Sequence, residues 1–409
     1  FRRVLFRSGT GEDKNDPSSQ SRDLSAAENQ GRSGEKHGVA VSGSVSVNVL
    51  NEDTLASVTD ANLQNSTDVQ VVASSSTSNF AISGAIAIST NKKKAVGIAG
   101  AVTVNVQESS THAVIERTTL TKVGDVKVLA SADGSIFAVA AGLGGAPRGF
   151  GVAGSVAINL ITSDTQAYID ASNVNGDSLR VRSRDKTSII AVGGAIAFGG
   201  KAGIGVGFAY NQISGGATAR LASTQVNVTG LLSVTATNGA QITGVAAAIA
   251  AAFGGFEASS PTSEGTEANE RSTYAIAAAA GISINRIESD THASIDSSGR
   301  DQNRSKAGEV EVKADDDLLR INGVAGGVAI SVSKGKSNGN STSVAAGVSF
   351  VFNEIERTTE AFIHNTFLDL TGDAEVQSSS NAVIFALAIA GSVRSEEHTS
   401  ELQSRQYLV

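Results

Sequence analysis

The sequence predicts an all-β chain, an elongated β-solenoid built from about six repeats of ~52–57 residues with loop insertions. Three observations predict it. One motif recurs six times without gaps, a period-two apolar segment follows each recurrence, and bulky side chains are too scarce for an ordinary globular core.

The motif reads NVLNEDTLASV (Asn48–Val58), NVQESSTHAVI (Asn105–Ile115), NLITSDTQAYI (Asn159–Ile169), NQISGGATARL (Asn211–Leu221), NRIESDTHASI (Asn285–Ile295) and NEIERTTEAFI (Asn353–Ile363). Asn opens each copy, Ala stands eight residues later, and a β-branched residue or Leu follows two beyond. The structural repeat residues are therefore Asn48, Asn105, Asn159, Asn211, Asn285 and Asn353, spaced 57, 54, 52, 74 and 68 residues apart. Two placements satisfy a recurrent Asn. One is an interior ladder of amides bonded from repeat to repeat; the other is a turn, where Asn tolerates a left-handed backbone.

A second motif follows, as in GDVKVLAS (Gly124–Ser131) and GEVEVKAD (Gly308–Asp315). Its alternation of apolar with polar residues is that of a half-buried strand. Next comes an Ala/Gly-rich stretch such as FAISGAIAIS or IAVGGAIAFGG, then a break, then a second small-residue strand leading to the next Asn. One unit thus reads as four short strands: strand, turn, strand, turn, strand, break, strand. Ala-rich pieces such as Gly244–Ala252 suit a helix equally well, but their counterparts carry Gly pairs and β-branched residues that favour strand. The two long spacings come from the insertions Glu257–Ser272 and Ser297–Gly308. Pro17, Pro147 and Pro261 all fall outside the strands.

Composition narrows the class further. The chain has 44 Gly, 4% aromatic residues, and no Cys, Met or Trp. Its interior must be thin, filled by small side chains and closely approaching backbones. A net charge of −8 excludes the basic stripe of a nucleic-acid-binding surface. No apolar run reaches the ~18–20 residues of a transmembrane helix. An outer-membrane barrel would need aromatic girdles that four Tyr and no Trp do not supply. Absence of Cys excludes a disulfide framework and fits a protein exported unfolded.

The ends stand apart. RSEEHTSE (Arg394–Glu401) is encoded by AGATCGGAAGAGCACACGTCTGAA, whose reverse complement, TTCAGACGTGTGCTCTTCCGATCT, reads FRRVLFRS (Phe1–Ser8). Residues 1–8 and 394–409 therefore resemble a translated sequencing-library adapter and are set outside the fold. Residues 9–38 are polar and charged and read as a flexible linker or loop, and 39–393 form the repetitive region.

Chemistry is sparse in this pattern. His112 and His292 share a repeat position with Gln166 and Glu360, a freedom that a metal ligand would not have. They, His37 and His364 read as surface residues. Asp164 and Asp290 read as exposed turn residues. Asp315–Asp317 offers carboxylates to a cation but fits a solvated turn better. Lys92–Lys94 reads as a solvated basic tip. The cluster GGKAGIGVG (Gly199–Gly207) lacks the Gly-Lys-Ser/Thr ending of a phosphate loop. No catalytic, cofactor-binding or metal residue is assigned, no cofactor is implied, and the chain reads as non-enzymatic.

The pattern N-x-x-x-x-x-T-x-A-x-I, then G-D-V-x-V-x-A, then an Ala/Gly-rich pair resembles the repeats of leukotoxin-like giant filamentous adhesins. Those belong with the filamentous-haemagglutinin and autotransporter passenger proteins of Gram-negative bacteria. The resemblance covers roughly Val39–Val393. It implies a non-catalytic structural or adhesive stalk segment of a large secreted protein at the bacterial surface. Its partners would be a host-cell or matrix protein or glycan, or neighbouring bacterial cells, with no nucleic acid and no transmembrane segment. The alternatives are scaffold repeats of a secreted toxin or effector whose active module lies elsewhere, and a β-helix carbohydrate-active enzyme. Such an enzyme would set Asp, Arg and Lys on adjacent turns along one groove.

Overall fold

The structure, a computed structural model, describes residues 37–91, 94–254, 273–300, 303–335 and 341–398. The insertion Glu257–Ser272, Lys92 and Lys93, and nearly all of residues 1–38 lie outside the described residues.

Each repeat is one coil of a β-solenoid. The first two are β1 (His37–Thr59), β2 (Asn62–Gln64), β3 (Asp68–Ile88) and β4 (Lys94–Glu116), β5 (Thr119–Thr121), β6 (Asp125–Ala146). The middle two are β7 (Phe150–Asp170), β8 (Asn173–Gly176), β9 (Ser178–Gly199) and β10 (Ala202–Ala222), β11 (Gln225–Val228), β12 (Leu231–Gly254). The last two are β13 (Thr273–Asp296), β14 (Ser305–Ala307), β15 (Glu309–Gly335) and β16 (Ser341–His364), β17 (Leu368–Leu370), β18 (Ala374–His398). Like strands pair in parallel from coil to coil, giving three six-stranded sheets: β1-β4-β7-β10-β13-β16, the short β2-β5-β8-β11-β14-β17, and β3-β6-β9-β12-β15-β18. Below, these are the first, short and third sheets. No closed barrel forms among the described residues, and no helix there is long and apolar enough to cross a membrane.

Each coil has three strands where the sequence suggested four. The small-residue strand and the Asn strand are one, as in the 23-residue β4. The alternating motif and the Ala/Gly stretch are likewise one, as in the 22-residue β6. The expected intervening turn is absent because the inward–outward alternation runs nearly unbroken through Ser131–Ser135. The extra strand is the short one, such as Thr119–Thr121, whose three residues are too few to show a period. Near the end of the chain, β18 runs on through Arg394–His398, paired with Ser331–Gly335.

The corner after the first sheet explains how a chain without glycine there can turn. Twelve residues beyond each repeat Asn, Asp60, Arg117, Ala171, Ser223, Ser297 and Asn365 all adopt φ between +46° and +52°. That left-handed residue donates its N–H to the next coil, as Ala171 does to the Ala222 carbonyl at 3.2 Å, so pairing is not interrupted by the bend. The residue after it is usually Ser or Thr. Its hydroxyl donates to the carbonyl two residues back (Ser172 to Asp170, 2.7 Å) and accepts the next coil down (Thr118 N–H to Ser172, 3.1 Å). Hydroxyl capping offsets part of the left-handed strain, about 1–2 kcal/mol per non-glycine residue.

The two long sheets face each other and taper away from the short sheet. Where the short sheet holds them apart, Ile, Leu and Val fill the wedge, among them Ile115, Leu120, Val126 and Ile169. A Ser/Thr/Asp/Asn seam comes next, then a row of Ile (Ile136, Ile161, Ile189, Ile213, Ile242), then the repeat Asn. At the narrow end the side chains are small, mostly Ala and Gly with some Ser, as in Ala195, Ala197, Ala248, Ala277, Ser331 and Ser343. A Cβ on Gly203 would lie 2.3 Å from the Ala251 carbonyl oxygen, and one on Gly207 2.5 Å from that of Ala247. That approach explains the glycine-rich segment Gly199–Gly207: the third sheet's backbone occupies the space a phosphate would need.

Candidate functional site

The repeat Asn stand in mid-strand, in register, facing inward. Asn48 pairs with Asn105 across β1–β4, Asn105 with Asn159 across β4–β7, and so on to Asn353. Each Nδ2 donates to the Oδ1 of the next: Asn48 to Asn105 at 2.9 Å, Asn105 to Asn159 at 2.7 Å, and Asn159 to Asn211, Asn211 to Asn285 and Asn285 to Asn353 at 2.8 Å. The ladder is the interior placement; the turn falls twelve residues later. Opposite it the third sheet must be small, since a Cβ on Gly244 would lie 2.2 Å from Asn285 Oδ1.

The polar seam holds buried carboxylates. Asp185 of β9 accepts hydrogen bonds from Ser163, and from Thr165 at 2.8 Å. Burial raises its pKa to about 6 despite those two donors. Asn238, its register partner on β12, donates to Ser289 at 2.5 Å. Asp316, one coil further, accepts from Thr291 at 2.5 Å, from Ser380 at 3.1 Å and from Thr359. The Asp315–Asp317 run is therefore not a solvated turn. Asp316 points inward, Asp315 accepts from Ser379, and the register shift between Asp316 and Leu319 is a β-bulge that accommodates Asp317.

His112, His292 and His364 lie on the outer face of the first sheet or at its corner, each beside a carboxylate of a neighbouring coil. His112 pairs with Asp164 at 3.1 Å, His292 with Glu360 at 3.5 Å and His364 with Asp296 at 2.9 Å. The His364 contact lowers the Asp296 pKa. Asp164 and Asp290 are exposed as expected, but within strands β7 and β13 rather than in turns. Ser110 joins His112 at 3.4 Å, which brings Ser, His and Asp together. Both partners meet the same nitrogen, Nε2. A proton relay needs the nucleophile and the carboxylate on opposite ring nitrogens, so this cluster cannot work as one. Among the described residues, no three His, Asp or Glu side chains converge as metal ligands.

One feature escaped the sequence reading. In RVRSRDK, the period of two puts Arg180, Arg182, Arg184 and Lys186 on the outer face of β9 while Val181, Ser183 and Asp185 point inward. Among the described residues, Arg182, Arg184 and Lys186 form no ion pair. Beside them the bulge opens a depression of about 350 Å³ lined by Arg184, Lys186, Thr237, Gln241, Asp317 and Asn381. Asp133 on the preceding coil is the register partner of Lys186. The depression sets the cations Arg184 and Lys186 of one strand beside the amides Gln241 and Asn381 of two others and the Asp317 carboxylate.

No protein family, curated protein or solved structure matches the chain.

Proposed function

We propose that the chain is a structural stalk segment of a large secreted or cell-surface bacterial adhesin, extracellular and non-catalytic. The observation that carries the reading is the in-register stacking of six coils on one amide ladder. Such a stack extends along a single direction, by about 4.8 Å per added coil. The acidic balance and the repeat resemblance fit the same role. In this reading contact with host or neighbouring cells comes from loops and from a distal tip, and weak sites repeated along a surface gain avidity.

The test is a ruler experiment. Three tandem copies of residues 37–398, placed between a membrane anchor and an epitope tag, should raise the tag by about 90 Å over the anchor alone. A tag that does not rise refutes a stalk. In parallel, Glu257–Ser272 is deleted from the displayed chain. Unchanged cell or matrix binding removes that loop as the contact.

A second reading, a β-helix carbohydrate-active enzyme, is favoured by the cations on β9 standing beside Asp133 on the adjacent coil and near Asp317, two coils away. It requires turnover of an anionic polysaccharide, followed through the ultraviolet absorbance of an unsaturated product and abolished by Arg184→Ala. Failure with every uronate polymer tried removes it.

A further inference from the structure

The narrow half of the solenoid is built inside out. Small residues face inward, and on both outer faces the bulky apolar residues point into solvent. On the first sheet one row along the axis is Val45, Val102, Val156, Phe208, Ile282 and Phe350. On the third sheet a matching row is Ile82, Val139, Val192, Val245, Val324 and Leu387. Exposure is not an effect of the terminal coils. In central coils Ile204 is 40% exposed and Ile196 and Ile249 are each 46% exposed. At the coil next to one end, Phe137 stacks on Phe80 with ring centroids 5.1 Å apart, also on the outside.

We infer that these two faces are a docking surface for a second copy of this chain, the first sheet of one copy packing on the third sheet of the next. Three observations select that occupant. The first is area. Rows spanning Val39–Val49 and Phe80–Ile88 across six strands cover about 800 Å² on the first sheet and about 630 Å² on the third. A stable protein interface takes about 800 Å² from each partner, and the largest apolar patch of an ordinary monomer is about 300–600 Å².

The second observation is a small-residue row on each face. On the first sheet it runs Gly43, Gly100, Gly154, Val206, Ala280 and Val348, and on the third Gly84, Ala141, Gly194, Ala247, Gly326 and Ile389. A Cβ on Gly100, Gly154 or Gly194 would meet nothing within 4 Å. Packing inside this chain therefore does not require glycine there, although glycine weakens a strand; the notches it leaves can seat side chains of another copy.

The third observation is charge. On its wide half the first sheet carries the outward carboxylates Asp53, Glu108, Asp164, Glu288 and Asp290, of which Glu288 pairs with Arg286 and Asp164 with His112. On the third sheet Arg182, Arg184 and Lys186 form no ion pair among the described residues, and Asp133, Asp315 and Asp317 share that face with them. First-on-third stacking, with copies pointing the same way, sets the acids of one copy against the cations of the next. First-on-first stacking sets acids against acids. The contact is heterologous, so copies add in an open series. This inference is independent of the stalk reading.

The test uses the full chain in two variants whose changed side chains point to solvent: Ile98→Lys with Ile204→Lys on the first sheet, and Ile196→Lys with Ile249→Lys on the third. Circular dichroism checks that strand content is retained. Sedimentation should show the unmodified chain growing beyond a dimer with concentration. Each variant alone should stay monomeric at ten times the concentration at which the unmodified chain is half associated. Mixed together, the two variants should form a dimer and nothing larger, since one intact face of each kind survives. A first-sheet variant that is monomeric beside a third-sheet variant that dimerises would overturn the pairing in favour of a symmetric contact. Association persisting in both variants would place it at the open sheet edges and overturn the proposal. So would an unmodified chain that stays monomeric and binds phosphatidylcholine vesicles, since the occupant would then be lipid.

Discussion

Replacing Asn159 by Ala removes the centre of the amide ladder. Asn159 is fully buried. It accepts from Asn105 at 2.7 Å and donates to Asn211 at 2.8 Å. The substitution orphans Asn105 Nδ2 below and Asn211 Oδ1 above, both enclosed by the two sheets. An unsatisfied buried group costs about 1–3 kcal/mol, so the loss is about 2–6 kcal/mol. Asn48→Ala at the open end is the internal control. Asn48 gives up one bond to Asn105 at 2.9 Å and a weak one to the Phe80 carbonyl at 3.4 Å, beside solvent. Its loss should be about 0.5–1.5 kcal/mol. Because stacked repeats need not unfold in one step, the assay pairs urea unfolding with amide hydrogen exchange. Asn159→Ala should lower the urea midpoint far more than Asn48→Ala. It should also speed exchange in β4, β7 and β10 before other strands. Equal effects from the two substitutions, or a change below about 0.5 kcal/mol for Asn159→Ala, would refute a ladder that contributes through buried amides.

Three further outcomes follow from the same geometry. Asp185, raised from 3.8 to about 6 by burial, favours the folded state only while it is protonated. That contribution of about 3 kcal/mol is complete below pH ~4 and lost as the pH rises through ~6. Asp185→Asn, which copies Asn238 of the next coil, should flatten the melting temperature between those pH values and raise it at pH 7; an unchanged pH profile counts against it. Gly207→Ala, whose Cβ would meet the Ala247 carbonyl oxygen at 2.5 Å, should cost about 1–3 kcal/mol in urea unfolding. Gly154→Ala, with open space around its Cβ, should be neutral or stabilising by up to about 1 kcal/mol, and a loss like that of Gly207→Ala would contradict the assigned faces. Ala171→Gly, at φ +47°, should stabilise by up to about 1 kcal/mol, read as a higher melting temperature, while Ala171→Val should lower it.

Much of the fold is legible in the sequence because a repeat reports the same environment six times. The Asn spacing alone gives the coil boundaries and the strand register, and Ala and Gly after each alternating motif give the close approach of the sheets. Which face of those strands is inside is not legible. In FAISGAIAIS (Phe80–Ser89) most residues of both parities are apolar, and hydropathy cannot choose between Ala/Ser inward and Phe/Ile outward. The distance between the sheets chooses, and at the narrow end it admits little beyond Gly, Ala and Ser. The corner also hides. Asp60, Arg117, Ala171, Ser223, Ser297 and Asn365 share a backbone conformation but no chemistry. Only their fixed offset from the Asn, together with the Ser or Thr that usually follows, marks them. Asp315–Asp317 looked like a turn because charge runs usually are, whereas a bulge and three hydroxyl donors hold Asp316 inside. The Arg180–Lys186 row was readable from its period of two, which a search for motifs of chemistry passed over.

Distance between equivalent residues of the first and last coils tests the solenoid most directly. The chain has no Cys, so Ser74→Cys with Ser379→Cys gives two unique spin-label sites. These positions belong to one outward row, Ser74, Ser131, Arg184, Thr237, Asp315 and Ser379. Pulsed dipolar measurement on spin-diluted protein should give about 24 Å, five steps of strand spacing, although some three hundred residues separate the labels. A broad distribution centred well beyond about 40 Å would show that the coils do not stack in this register.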